Sequence, residues 1–248
     1  MAVLQLRRRD VDPLTRALAE QRIAVIVPAA GAGTRMGEGV AKQYLELAGK
    51  PILVHTLEHL SEMSEADEIV IAVPEKDVTS VRHLTVHYRI PKVEAIIPGG
   101  SKRQDSVWNC LQYLSVRNID IVLIHDAVRP FFTAGLFSAV CKEAVNSGAA
   151  IPVVPVMDTV KQIVKEGFVS STLNREELVL AQTPQGFRYS LIFQAYSKAM
   201  EEHFYGTDDA SLVERNGGMV KTIEGNRSNI KITTPEDLLL ADRIHAGA

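Results

Sequence analysis

Two hydrophobic patterns alternate along the first half of the chain. Ile23 to Pro28 is a continuous, largely β-branched run that opens into Gly-rich sequence, and it predicts a buried parallel strand entering a loop. Glu68 to Val73, Val93 to Ile97 and Ile121 to His125 repeat the type, with Pro98-Gly99-Gly100 ending the third. Between them, apolar residues recur with helical spacing. One predicted helix opens at Pro51, a good first-turn residue, and carries Ile52, Leu53, Thr56, Leu57 and Leu60 on one face. A second runs from about Ser101 to Leu114. A third is capped by Thr133 and stopped by Gly148. Strands alternating with helices predict an α/β fold, a mostly parallel sheet with helices on both faces and its chemistry at the carboxyl ends of the strands.

From Ile151 the pattern changes. Ile151 to Val156 and Val160 to Val164 read as extended segments, Glu166-Gly167 as a turn and Val169 to Leu173 as a return strand. This predicts a projecting β-arm, inserted at about residues 155–178, that is marginal in water unless it packs on something. Beyond it the pattern predicts a strand near Val179 to Thr183, helices at Tyr189 to His203 and Asp208 to Asn216, and strands at Val220 to Glu224 and Ile230 to Thr233. Thr234-Pro235-Glu236-Asp237 then starts the last helix, with a Thr cap, Pro in the first turn and an acid at the third position.

Composition adds limits to this picture. The 248 residues are 46% hydrophobic and 23% charged, an ordinary globular balance that excludes collagen-like and disordered classes. The length allows one large α/β domain or two small ones. A net charge of −3 makes neither a nucleic acid nor an anionic membrane the default partner, and no apolar run approaches the roughly 18 residues of a membrane span. Residues 1–21 read as a mobile leader, Arg-rich but interrupted by Asp10, Asp12 and Glu20, and residues 22–248 as the domain proper. Cys110 and Cys141 both lie on apolar helical stripes, which points to core packing in a reducing cytoplasm.

The candidate chemistry starts at Pro28-Ala29-Ala30-Gly31-Ala32-Gly33-Thr34-Arg35-Met36-Gly37, directly after the first strand. Small residues let a ligand approach the backbone, and successive N–H groups cradle phosphate oxygens; a plain structural glycine turn is the competing reading. The dinucleotide fingerprint fails, since its third glycine comes one residue late at Gly37, and Gly49-Lys50-Pro51 fails as a Walker loop. Arg35 and Lys42 flank the loop, either as phosphate ligands or as solvated surface charges. His125-Asp126-Ala127-Val128-Arg129-Pro130 places an acid and a base at the ligand-binding edge of the sheet. Asp126 there suits Mg²⁺ or a substrate hydroxyl, or else caps a turn; His125 reads as packing.

A-A-G-A-G-T-R-M-G with K-Q-Y-L, G-G-S-K-R-Q-D-S-V, H-D-A-V-R-P, D-T-V-K, N-R-E-E-L with Q-T-P-Q-G-F, T-D-D-A and N-I-K-I-T-T-P-E-D follow one another in the order of a known family. Over residues 22 to 246 the chain resembles bacterial 2-C-methyl-D-erythritol 4-phosphate cytidylyltransferases of the non-mevalonate isoprenoid pathway. The resemblance implies a Rossmann-like fold of nucleotidyltransferase type. It also implies transfer of CMP from CTP to methylerythritol phosphate with release of pyrophosphate, a Mg²⁺ requirement, a homodimer joined through the β-arm and a bacterial cytoplasmic location. By the same resemblance Arg35, Lys42, Arg175 and Lys231 are catalytic. Pro28, Ala29, Ala30, Gly31, Ala32, Gly33, Gly100, Ser106, Asp126 and Ala127 bind the nucleotide, and Asp126 is also the metal ligand. Asp126, Arg129, Thr159, Arg175, Thr183 and Thr207 bind the acceptor, with Thr159 and Arg175 reaching into the neighbouring subunit. Ala41 replaces the family's usual Pro before the lysine, Ser101 a commonly acidic residue, and Val128 a small one.

The chemistry implied is consistent with the residues. A phosphomonoester anion must approach a triphosphate, and each unit pair of like charges at 4 Å costs about 4 kcal/mol at an effective dielectric of 20. The nucleophile is already an anion, so no general base is needed and catalysis reduces to alignment and charge stabilisation. A cytidylyltransferase for ribitol 5-phosphate, an NAD-dependent oxidoreductase and a non-catalytic nucleotide sensor are the competing functions.

Overall fold

A computed structural model describes residues 17–31 and 41–247. Ala32, Gly33 and Arg35 of the expected site, and residues 1–16 of the expected leader, lie outside the described residues. At the centre of the sheet is Ile23–Pro28 (β1), whose first five residues are all buried. It pairs in parallel with Glu68–Val73 (β4) on one side and Ile121–Ile124 (β6) on the other, and Val93–Pro98 (β5) extends the sheet beyond β4. Glu46–Leu47 (β2) and Lys50–Pro51 (β3) form a separate small hairpin.

Strand side chains alternate between faces, and the core divides accordingly. Val25, Val27, Ile69, Ile71 and Leu123 pack on Ile52–Glu62 (α1), Val78–His87 (α2) and Ala134–Ser147 (α4) through Leu57, Val81 and Phe137. Ala24, Ile26, Val70, Ala72 and Val122 pack on Arg103–Leu114 (α3), Tyr189–Glu201 (α5) and Asp209–Arg215 (α6) through Leu111, Tyr196 and Leu212. Cys141 belongs to the first layer and Cys110 to the second, both buried free thiols. Thr133 caps α4 through its side chain, and Gly148 ends it in the left-handed region. Leu18, just ahead of β1, is packed in the first layer.

Beyond β6 the sheet becomes mixed. Gln185–Arg188 (β11) runs antiparallel between β6 and Ala149–Pro155 (β7). Ala150 of β7 pairs with both Gly186 and Lys221, which puts Lys221–Glu224 (β12) on the outer edge of β7. β11 was not expected from sequence, because a four-residue Q-G-F-R strand carries too little pattern. Its glycine is required: a Cβ on Gly186 would stand 2.6 Å from Val140 Cγ1 of α4. Helix α2 was also not expected, because its Val78, Thr79, Val81, Thr85 and Val86 favour strand.

The chain leaves the sheet at Pro155 and rejoins it at Val179, the start of Val179–Ala181 (β10), which pairs with β7. In between, Lys161–Ile163 (β8) and Val169–Thr172 (β9) form an antiparallel arm that exposes Ile163, Phe168 and Val169. One expected element is corrected. Ile230 to Thr233 is not a strand: its link to the sheet side is Ile232 N–H donating to the Val128 carbonyl at 3.0 Å, with Ile232 fully buried against Leu47, Ile52 and Val128. It runs as ordered irregular chain into Pro235–Ala246 (α7), which has the expected Thr234 cap and Asp237 capping box.

Candidate active site

The carboxyl ends of β1 and β6 open into a cavity of about 220 Å³. Pro28, Ala29, Ala30 and Gly31 line one wall, Ser106, Asp126 and Ala127 another, and Lys42 and Lys231 complete it. Nine residues expected from the sequence are thereby brought together. Gln43, Arg103 and Val128 line the same cavity.

Local structure explains each placement. Buried Gln43, in the turn that begins at Lys42, donates its side-chain amide to the Ala29 carbonyl at 2.7 Å and so ties the lysine's turn to the loop after β1. Ala41, just before it, lies at φ −64° and ψ 136°, the conformation a proline would impose. Gly99 passes so close to this loop that a Cβ there would stand 2.4 Å from Ala30 Cβ. The Ser106 hydroxyl accepts from Gly100 N–H at 3.1 Å and donates to the Lys102 carbonyl at 3.2 Å, so this cavity-lining residue also shapes the glycine pair.

Asp126 is the electrostatic centre. Its Oδ1 accepts from Arg103 Nε at 3.2 Å, and its Oδ2 from Lys231 Nζ at 2.8 Å and Arg129 Nε at 3.4 Å. Burial works against the charge, but Arg103, Lys231 and Arg129 outweigh it and hold the carboxyl far below the usual carboxylate range. With Asp209 on the far side of Arg103, two carboxylates face three cations and the cluster stays net positive, which suits a polyanion.

Behind Asp126 the hydrogen bonds form a defined chain. The Arg129 carbonyl can only accept, so His125 Nε2 carries the ring proton and donates to it at 2.9 Å. Nδ1 then accepts from the Thr183 hydroxyl at 3.1 Å, and that oxygen accepts Asp126 N–H at 3.1 Å. Burial pushes the His125 pKa down to about 4, which keeps the ring neutral in this role. Thr183, expected to bind the acceptor, has its hydroxyl committed to this frame.

Arg103 is the residue that sequence reasoning missed. Its guanidinium binds fully buried Asp209 through two bonds, Nη1 to Oδ1 at 2.9 Å and Nη2 to Oδ2 at 2.8 Å, and the Tyr196 hydroxyl also donates to Asp209. A sequence signal existed, since a cation in the first turn of a helix opposes the helix dipole unless an anion compensates it.

The remaining expected residues lie elsewhere. Arg129 sits behind the cavity, its Nη1 donating to the Asn229 carbonyl at 2.7 Å. Thr207 is exposed in the segment before α6. Thr159 and Arg175 are exposed at the root of the arm, where Arg175 Nη1 donates to the Met157 carbonyl at 2.8 Å. Neither lines the cavity of its own chain.

A mixed sheet with the backbone of Ala29–Gly31 and a cationic cluster lining one cavity at its carboxyl edge has the architecture of an α/β enzyme of the nucleotidyltransferase class. The family model described as IspD: 2-C-methyl-D-erythritol 4-phosphate cytidylyltransferase matches residues 23–246. The chain is 48% identical over 222 residues to the 2-C-methyl-D-erythritol 4-phosphate cytidylyltransferase of Syntrophus aciditrophicus, covering 89% of this chain and 94% of that one. It is 46% identical over 220 residues to that of Symbiobacterium thermophilum, with 89% and 91% covered. Its fold matches the crystal structure of 4-diphosphocytidyl-2C-methyl-D-erythritol synthase from Anaerococcus prevotii with a TM-score of 0.82 at 32% identity, over 93% of this chain and 99% of that one. The chain belongs to the 2-C-methyl-D-erythritol 4-phosphate cytidylyltransferase family.

Proposed function

We propose that the protein transfers CMP from CTP to 2-C-methyl-D-erythritol 4-phosphate, giving 4-diphosphocytidyl-2-C-methyl-D-erythritol and pyrophosphate. The observation that carries the reading is Asp126 held among Arg103, Arg129 and Lys231, opposite the loop after β1 and Lys42. The acceptor's phosphate oxygen attacks the α-phosphorus in line, and the oxygen bridging to the β-phosphate leaves with pyrophosphate. Lys42 and Lys231, with Arg35, offset the charge that gathers on the α-phosphoryl oxygens.

A divalent cation fits the donor set in one way. No group of three or more metal-ligating side chains occurs among the described residues, and Asp126 offers a single carboxylate. That suits Mg²⁺ held mainly by triphosphate oxygens and water, not by an all-protein cage. Bound there, the ion would neutralise triphosphate charge.

Thr159 and Arg175 serve the acceptor site of a second subunit in this reading, through a homodimer made by the arm. Exposed Met157, Ile163, Phe168 and Val169 on the arm, with Val179 and Leu180 of β10 beside its root, give an apolar surface for that contact. A cytoplasmic location belongs to the same reading; no helix among the described residues is long and apolar enough to cross a membrane. Incubation with CTP, Mg²⁺ and either methylerythritol phosphate or ribitol 5-phosphate tests the function. Pyrophosphate release is expected with the first, and release only with the second would overturn the proposal.

A further inference from the structure

Four consecutive residues at the start of α3 grip the segment 204–209. Lys102 places its ammonium 3.3 Å from the centre of the Tyr205 ring. Arg103 takes Asp209 in the two-bonded pair. Buried Gln104 spans the segment from within, donating to the Phe204 carbonyl at 2.8 Å and accepting from Gly206 N–H at 2.9 Å. Asp105 accepts the Tyr205 hydroxyl at 3.0 Å.

The same turn is bound to the other side of the site. Asp105 packs so tightly under Gly100 that a Cβ on that glycine would stand 2.2 Å from Asp105 Cβ, and Ser106 holds Gly100 N–H. Asp105 is therefore shared between the loop that carries Gly100 and the segment that carries Thr207. Buried Gln104 and Asp209 are needed for packing, but Tyr205 is 40% exposed and fills no core. A large aromatic held there by a cation on its face and an anion on its hydroxyl is explained by what it positions.

We infer that Tyr205 is a positioning residue for the acceptor substrate: clasped between Lys102 and Asp105, it fixes the Gly206–Thr207 segment in register with the Gly99–Gly100 loop. The inference rests on the acceptor being methylerythritol phosphate and on Thr207 facing it. The ring contact and the hydroxyl bond are separable. Tyr205→Phe keeps the face over Lys102 and loses the bond to Asp105, whereas Tyr205→Ala loses both.

Steady-state kinetics on the full chain, with thermal melts alongside, test this. In Tyr205→Ala the KM for methylerythritol phosphate is expected to rise about tenfold, from a cation–π contact and a charged hydrogen bond lost together. In Tyr205→Phe it is expected to rise about threefold, while kcat and the KM for CTP stay within about twofold in both. An unchanged acceptor KM in Tyr205→Ala would overturn the inference, as would kcat and both KM values worsening together with a lowered Tm. Absence of turnover by the unsubstituted protein would remove the proposed function, and this inference with it.

Discussion

Arg103 and Asp209 meet in a two-bonded pair while the same guanidinium turns its Nε to Asp126, so a carboxylate with no exposed surface sits one residue behind the reaction centre. The arrangement links the packing of α5 and α6 to the orientation of the site. Tyr196, fully buried on α5, donates to the same carboxylate.

Removing the anion strands Arg103 beside two other cations. Asp209→Ala is expected to destabilise the fold by about 3 kcal/mol, a fall in Tm of roughly 6–12 °C. Tyr196→Phe, which costs one hydrogen bond, is expected to cost about 1 kcal/mol. Urea titration checks both, and equal losses for the two variants would contradict this account.

His125 sets an acid limit on stability. Its pKa is about 4 in the folded protein against an ordinary 6.5, so below pH 6.5 the unfolded chain takes up a proton that the folded chain refuses. Stability is therefore expected to fall as pH drops from about 6.5 to about 4, by about 3 kcal/mol in total. His125→Gln is expected to be less stable at pH 8 but to show a flatter profile across that window. A wild-type profile with no slope there would argue against the buried neutral ring.

Lys42 lies in the cavity and outside the core clusters. Lys42→Ala is expected to lower kcat about 10²–10³-fold with Tm nearly unchanged, since it removes charge stabilisation and no packing. Arg35→Ala is expected to act in the same direction. Pyrophosphate-release assays with parallel melts read both effects, and full activity in either variant would remove that residue from the mechanism.

For the arm, the expected outcome concerns assembly. Deleting residues 158–176 is expected to yield a folded monomer by sedimentation with activity lost, because Thr159 and Arg175 go with the contact surface. The milder Phe168→Asp, at an exposed position, is expected to weaken the dimer while leaving the monomer's melting unchanged. An active monomer would show that neither residue serves a partner.

The sheet centre was legible because β1, β4 and β6 are buried on both faces, and such strands announce themselves as unbroken apolar runs. Thr133, Gly148 and Thr234 were legible for a local reason, since capping chemistry depends on a few neighbouring residues. What depended on distant partners was not. Nothing near Arg103 reveals Asp209, 106 positions away, and nothing near Gln185–Arg188 reveals the slot between β6 and β7. Thr183 carried the right motif, yet its hydroxyl is turned inward to Asp126 N–H and the His125 ring.

That slot has a consequence for biosynthesis. β6 and β7 leave the ribosome well before β11, and in the finished sheet they touch only through it. Until residues 185–188 emerge, each strand presents an unpaired apolar edge to the surroundings. The half of the protein that bears Asp126 thus has to wait, partly open, for a strand made some sixty residues after it. A pause or truncation in that interval exposes the nascent chain to aggregation at β6 and β7, whereas β1 and β4 within the earlier layer already have both neighbours in place.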